Sequence, residues 1–178
     1  MKILNSLSIW PTYSCEEKFI DATSGILYPP DILFFFFQKN TNFYKYNKNS
    51  NYYNILKKLG AKTITELEYV RDHLLSGFTV SSTPSQEYVD FLQNVLTLKN
   101  PEIEKWFSHE QLIPNRSLTA FVSANTLYDM KEPLFNNVFA ESDKILPPKL
   151  QNDVKCTIPL RIIGIKWQVN NNTFIECA

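Results

Sequence analysis

The sequence predicts an α+β fold in which mixed short strands accompany a central run of amphipathic helices, at about residues 60–108. Two observations lead to this prediction: short extended segments that end at proline or glycine, and apolar residues that recur at helical spacing after capping signals. The chain has 178 residues, of which 44% are hydrophobic and 20% are charged. This composition suits a single α+β segment, 1–178, built as one core or as two small lobes.

The N-terminal part is predicted to be extended. Leu7 and Ile9 alternate with polar residues until Pro11 ends the pattern. The apolar run 32–37 has the length of a strand buried on both faces, although a short buried helix also fits. The segment 38–51 is rich in asparagine, lysine and tyrosine, and we expect it to be a flexible loop.

Capping signals predict the helices of the central run. Thr65 and Glu68 have the spacing of a capping box. Thr83 and Pro84 are expected to cap and open a second helix, because proline fits the first helical position. A third helix is expected after Asn100.

Beyond the central run the pattern becomes mixed again. Glu132 and Pro133 can open a helix over 133–139. The apolar run 158–169, which contains Gly164, is predicted to be a β-type segment.

Two short segments recur along the chain. Residues 26–32 (ILYPPDI) resemble 145–150 (ILPPKL), and residues 56–62 (LKKLGAK) resemble 160–166 (LRIIGIK). The order is the same but the gap differs, which excludes a strict solenoid period. We interpret the pattern as a reused unit that is cut off in its second copy, and we expect the chain to be a fragment of a larger repeat protein.

The sequence predicts no enzyme: it contains no recognisable catalytic, cofactor-binding or metal-binding residues. Cys15, Cys156 and Cys177 have no paired spacing, which favours a reducing compartment over a disulfide framework. His73 and His109 have ordinary helical explanations. A cysteine–histidine hydrolase remains an alternative, since Cys15 could meet either histidine in space.

Phosphate binding, metal binding and nucleic-acid binding lack their usual signals. The four glycines are too far apart for a phosphate cradle, and no Cys-x-x-Cys or His-x-x-x-His pair is present. Lys+Arg and Asp+Glu both number 18, so there is no positive surplus for nucleic acid. One alternative is stacking of single strands on tyrosines in and near the 38–51 segment: Tyr44, Tyr46, Tyr52 and Tyr53.

Protein partners are the favoured kind of ligand. Aromatic residues make up 14% of the chain, which favours a large aromatic core or an apolar surface for a partner. No apolar stretch approaches the roughly 20 residues of a membrane span. We therefore predict a cytoplasmic protein that binds protein partners, with no membrane or nucleic-acid partner and no identified small-molecule substrate.

Several motifs, taken in order, resemble sacsin and sacsin-like repeat proteins. Residues 7–14 (LSIWPTYS) resemble the Leu-Pro-Ile-aromatic-Pro opening of that family, and 55–62 (ILKKLGAK) resembles its leucine–glycine–leucine–lysine segment. The strongest match is 124–129 (ANTLYD), followed by 133–135 (PLF) and 146–148 (LPP). The chain departs from the family pattern in having Ser8 and Met130 where proline is usual, and Asn115-Arg116 in place of an aspartate–glycine turn.

The resemblance implies a segment from the non-ATPase part of a repeat in a giant cytosolic chaperone-associated scaffold. It carries over no ATP-binding residues, because the acidic and glycine motifs of the heat-shock-90-type ATPase are missing. The function it implies is that of a non-catalytic scaffold or protein-interaction module.

The shared residues are predicted to form a structural motif. Asp129 can accept backbone N–H bonds before the 133–139 helix, and Tyr128 offers a buried ring whose hydroxyl needs a partner. The predicted structural residues are Tyr128, Asp129, Pro147, Pro148, Gly60 and Gly164.

Overall fold

The computed structural model describes residues 7–11, 19–21, 23–27, 43–44, 51–75, 78 and 83–177. The chain forms two compact units, 1–77 and 78–178. Helices joined by two-residue strands make up both units, so the α+β prediction is confirmed.

Parallel and antiparallel pairings of short strands organise the 1–77 unit. Strand β1 (Trp10–Pro11) pairs antiparallel with β2 (Phe19–Ile20), and β3 (Ile26–Leu27) pairs in parallel with β4 (Lys62–Thr63). Ile26 also forms a parallel bridge with Phe43. The strand pattern predicted at Leu7 and Ile9 is not formed: residues 7–9 are exposed and outside any strand, and β1 begins at Trp10 and includes Pro11. The apolar run 32–37 lies outside the described residues.

The described helices of this unit are α1 (Tyr52–Lys58) and α2 (Glu66–Glu68), and α2 continues as a π-helix over Tyr69–Leu74. The predicted capping box is confirmed: Glu68 N–H donates to Thr65 Oγ1 over 3.1 Å, and Thr65 N–H donates to Glu68 Oε2 over 2.8 Å. The box satisfies two N–H groups that the first turn leaves without helical partners.

Tyr44 is a buried anchor of the 1–77 unit. It is 0% exposed, and its hydroxyl donates to Asp21 O over 2.7 Å and accepts from Gly25 N–H over 3.0 Å. A Cβ at Gly25 would lie 2.3 Å from the Tyr44 ring, so this position requires glycine. Within the 38–51 segment, Phe43 and Tyr44 are therefore core residues, and 38–42 and 45–50 lie outside the described residues.

The 78–178 unit contains most of the described helices. They are α3 (Gln86–Leu96), α4 (Pro101–His109), α5 (Pro133–Phe139), α6 (Pro148–Asn152), α7 (Val154–Ile162) and α8 (Asn171–Cys177). Strands β5 (Ile113–Pro114) and β6 (Phe121–Val122) pair antiparallel, and a 3₁₀ turn covers Ala124–Thr126. Helices α6 and α7 pack against α3, and α7 also packs against α4.

The start of α3 differs from the prediction. Ser85, not Thr83, is the N-cap, and its hydroxyl accepts from Tyr88 N–H over 3.1 Å. Pro84 lies before the cap. Both threonine and serine are good capping residues, and the cap falls shortly before the apolar face begins.

The turn between β5 and β6 is built around a buried amide. Asn115 is 5% exposed, and its Oδ1 accepts from the N–H groups of Thr119 and Ala120 over 2.9 and 3.1 Å. Leu118 has a positive φ of 57°, a conformation that local hydrogen bonding must hold in place.

The β-type prediction for 158–169 is wrong, because its first part lies in α7. Asp153 caps that helix, accepting from Lys155 N–H over 2.8 Å. Cys156 and Leu160 are buried at helical spacing. The outward residue Ile158 is apolar as well, and this hides the polar face that normally marks an amphipathic helix.

Candidate interaction surface

Tyr128 is the centre of a small aromatic cluster. Its side chain is 2% exposed, and its ring lies 4.9 Å from the Phe135 ring and 4.2 Å from the Phe139 ring, centroid to centroid. Its backbone forms parallel bridges with Ile145 and with Lys166. Tyr128 thus links α5 to the two segments that pair with its backbone, one containing Ile145 and the other containing Lys166.

The hydroxyl of Tyr128 completes a polar cluster that holds α8. It donates a hydrogen bond to Glu176, and Lys166 Nζ lies 2.5 Å from the same carboxylate. Burial, together with the Glu176 carboxylate, raises the pKa of Tyr128, and the bond from Lys166 lowers the pKa of Glu176. The phenol therefore remains protonated at neutral pH and acts as a hydrogen-bond donor.

Asp129 ties α7 to the turn before α5. Its Oδ1 accepts from Lys131 N–H over 3.0 Å, and its Oδ2 accepts from Arg161 Nε and Nη2 over 3.2 and 2.8 Å. The carboxylate side chain is 12% exposed, so this ion pair is screened less than a surface pair. The Arg161 guanidinium also stacks on the Trp167 ring at 4.7 Å.

Both prolines of the predicted motif lie at the start of α6. Pro147 is the N-cap residue and Pro148 the first helical residue, where the missing N–H costs no helical hydrogen bond. Their role in the structure is thus to direct the chain into α6.

Gly60 and Gly164 end two helices in the same way. Their φ angles are +94° and +113°, in the region that favours glycine. Gly60 N–H donates to Lys57 O and Gly164 N–H donates to Arg161 O, each over 3.1 Å. Neither site is crowded, since a Cβ added at either glycine would have its nearest neighbour at 3.9 Å. Backbone conformation is therefore what selects glycine.

The helix–glycine–strand unit therefore occurs twice, and the similarity between 56–62 and 160–166 has a structural counterpart. Lys62 and Lys166, two residues after each glycine, both form parallel pairings. Their partners are Ile26 and Tyr128, respectively. The interpretation of 26–32 as equivalent to 145–150 is wrong. Ile26 and Tyr128 correspond to each other, because each pairs with the lysine that follows the glycine. Ile145, the second partner of Tyr128, then corresponds to Phe43, the second partner of Ile26.

The most exposed large apolar side chains of the described residues all lie on α7 and α8. They are Val154 (79%), Ile175 (71%), Ile158 (64%), Phe174 (59%) and Ile162 (58%). Exposed apolar residues that occur singly are ordinary, but a group of them on neighbouring turns of one helix is typical of a contact surface. Sequence reasoning missed this surface because the second half of α7, 158–162, falls in the run that the sequence predicts to be a β-type segment. The spacing i, i+4, i+8 of Val154, Ile158 and Ile162 was the available signal.

The cysteine–histidine alternative receives no support from Cys156. Its thiol is buried, lies 3.8 Å from Gln93 O and 3.7 Å from Asp153 Oδ2, and has its pKa raised by burial to about 12. A protonated, buried thiol is a poor nucleophile. The exposed His109 ring has its Nδ1 2.7 Å from Lys105 O, and Cys15 lies outside the described residues.

The alternative of single-strand nucleic-acid binding loses one of its four predicted stacking tyrosines. Tyr44 is fully buried, so its ring cannot stack on a base. Tyr52 is 43% exposed and meets the Trp10 ring edge-on at 5.7 Å. Tyr46 lies outside the described residues.

Among the described residues, no group of three or more histidine, cysteine or acidic side chains could hold a metal ion. Likewise, no helix in the described part of the chain has the length and apolar character needed to cross a membrane. Cys156 and Cys177 are both free thiols.

Comparison with known proteins gives no relative: no family model, no curated protein and no solved structure matches this chain.

Proposed function

We propose that this chain is a non-catalytic protein-interaction module of a sacsin-like, chaperone-associated cytoplasmic scaffold, and that it binds protein partners or chaperone clients. The observation that carries the proposal is the group of exposed apolar side chains on α7, Val154, Ile158 and Ile162, with two more on α8. Apolar side chains in contact with water favour association with another apolar surface.

The roles of the motif residues support the same proposal. Tyr128, Asp129 and Gly164 are occupied in packing, ion pairing and helix termination. These are roles in a scaffold, since a catalytic group must remain available to a substrate.

A light-scattering experiment tests the proposal. Insulin reduced with dithiothreitol aggregates, and the purified full-length chain is added at increasing ratios, with serum albumin at equal mass as the control. We expect the chain to slow aggregation and albumin to have little effect. No slowing at several-fold molar excess would contradict client binding.

The family assignment has its own test in the genomic reading frame on both sides of the chain. A sacsin-like protein should encode an ATPase-type segment upstream, or a further leucine–tyrosine–aspartate element downstream. Unrelated sequence on both sides would contradict the assignment.

A further inference from the structure

One face of α7 is an apolar stripe exposed to solvent. Val154, Ile158 and Ile162 follow one another at i, i+4 and i+8, and so lie within an arc of about 80° on the helix surface. They are 79%, 64% and 58% exposed, whereas Cys156 and Leu160 on the opposite face are buried. The helix thus has two apolar faces, of which only one is used by the 78–178 unit.

Cationic side chains border this stripe on both sides. Helical spacing places Lys155 at one edge and Arg161 at the other. On the Arg161 side, Lys131 Nζ lies 2.6 Å from Thr157 Oγ1. Arg161 pairs with Asp129, but neither Lys131 nor Lys155 forms an ion pair with any carboxylate in the described ranges. Lys131 on one side of the stripe and Lys155 on the other are therefore the two cations that could pair with acidic side chains of a partner.

The equivalent helix of the 1–77 unit lacks the stripe. When α1 and α7 are aligned on the glycines that end them, Asn54 corresponds to Ile158 and Lys58 to Ile162. Both α1 residues are exposed. The helix–glycine–strand unit therefore forms with polar residues at these positions, and the apolar residues of α7 are not needed to build it.

We propose that this α7 face, Val154, Ile158 and Ile162 with the cations at its borders, binds an amphipathic α-helix of a partner protein whose apolar side is bordered by aspartate and glutamate. The inference rests on the proposed function and names the partner's chemistry. A helix laid along an apolar stripe buries its own apolar side, and opposite charges at the edges fix its orientation.

A second copy of this chain is a poorer occupant of the same face. In an antiparallel pairing of two α7 helices centred on Ile158, each edge of the stripe would face the same edge of the other copy, so the Lys155 ammonium groups of the two copies would lie on the same side of the interface. Like charges placed opposite each other oppose association. Charge therefore favours an acidic partner.

Fluorescence anisotropy with designed peptides tests this inference. The probe is a fluorescein-labelled helical peptide with leucine at i, i+3, i+4 and i+7 and glutamate at the flanking positions. The matched peptide has lysine in place of each glutamate. We expect the full chain to bind the glutamate peptide and to bind the lysine peptide about tenfold more weakly or worse, with added salt narrowing the difference.

Two variants locate the binding. The double variant Ile158→Asn/Ile162→Gln makes the α7 stripe polar, as the corresponding α1 positions are, without adding charge, and it should weaken binding of the glutamate peptide about tenfold or more. Ile55→Asn, which changes a 43% exposed isoleucine on α1 of the other unit, should leave binding unchanged. Circular dichroism should show that both variants keep the wild-type helix content.

Three outcomes of the peptide experiments would overturn the inference: no binding of the glutamate peptide, equal binding of both peptides, or binding that the α7 double variant leaves intact. A dimer in sedimentation that the double variant dissociates would show that a second copy covers the face, which also overturns it. If the double variant still slows insulin aggregation while the glutamate peptide fails to bind, the proposed function stands and only the acidic helix is rejected.

Discussion

At the residue scale, Asp129 connects three parts of the 78–178 unit. Its carboxylate accepts from Lys131 N–H and from the Arg161 guanidinium, and its backbone N–H donates to Lys166 O over 2.8 Å. The turn role of Asp129 could be predicted because it involves neighbours in the chain. The pairing with Arg161, 32 residues away, depends on how α7 packs and has no local signal.

Replacing Asp129 should therefore destabilise the unit. We expect Asp129→Ala to lower the free energy of unfolding by about 2 kcal/mol, because a mostly covered guanidinium loses its partner. The control is Asp90→Ala, which removes an exposed pair with Lys149 and should cost about 0.5 kcal/mol or less. Urea unfolding followed by tryptophan fluorescence measures both, and equal effects would contradict the role given to Asp129.

Cys156 should be nearly unreactive in the folded protein. Burial raises its pKa to about 12, so very little thiolate exists at neutral pH. Labelling with a maleimide, followed by peptide mass spectrometry, should show Cys156 reacting more slowly than the partly exposed Cys177. A hyper-reactive Cys156 would contradict this account and revive the hydrolase alternative.

His73 predicts a pH dependence for the 1–77 unit. Its ring meets the Phe43 ring edge-on at 4.8 Å, and burial lowers its pKa from the usual 6.5. The unfolded state thus binds a proton at a higher pH than the folded state does. Stability should therefore be constant well above pH 6.5 and decrease as pH falls through the lowered folded pKa.

The measurement is urea unfolding at several pH values in a variant with Trp106→Phe and Trp167→Phe, so that Trp10 reports on the 1–77 unit alone. His73→Gln should make stability less dependent on pH in this range. An unchanged pH dependence in His73→Gln would show that another group is responsible.

At the element scale, the same helix–glycine–strand arrangement occurs in both units, with different outer faces on α1 and α7. In both units the glycine that ends the helix, and the lysine two residues after it, can be recognised from the sequence because the C-cap is a local feature. The α7 helix itself was not predicted. Its residues are β-branched or apolar on both faces and it contains Pro159, and only Asp153 before it and Gly164 after it indicate a helix.

Replacing Gly164 should destabilise the folded protein because of the backbone conformation at this position. With φ at +113° and no close neighbour around a Cβ, Gly164→Ala should lower the free energy of unfolding by about 1 kcal/mol or more through strain alone. Gly60→Ala in the other unit should cost a similar amount. Gly164→Ala with wild-type stability, measured by urea unfolding, would contradict the positive-φ conformation assigned to this position.

At the scale of the whole molecule, the fold class and the central helices could be predicted, but the contact surface could not. Local signals such as the Thr65 capping box act within one turn of chain and survive in any context. Whether Ile158 faces the core or solvent depends on how α7 packs against α3 and α4. The exposed stripe was therefore visible only in three dimensions.

Hydrogen exchange, measured by mass spectrometry on the full chain with and without reduced insulin, tests the central claim most directly. A protein-interaction module that uses the α7 surface should show slower exchange over 154–162 in the presence of the client, with little change over α4 (Pro101–His109). No protection anywhere in the chain, or protection confined to segments away from α7 and α8, would contradict the account.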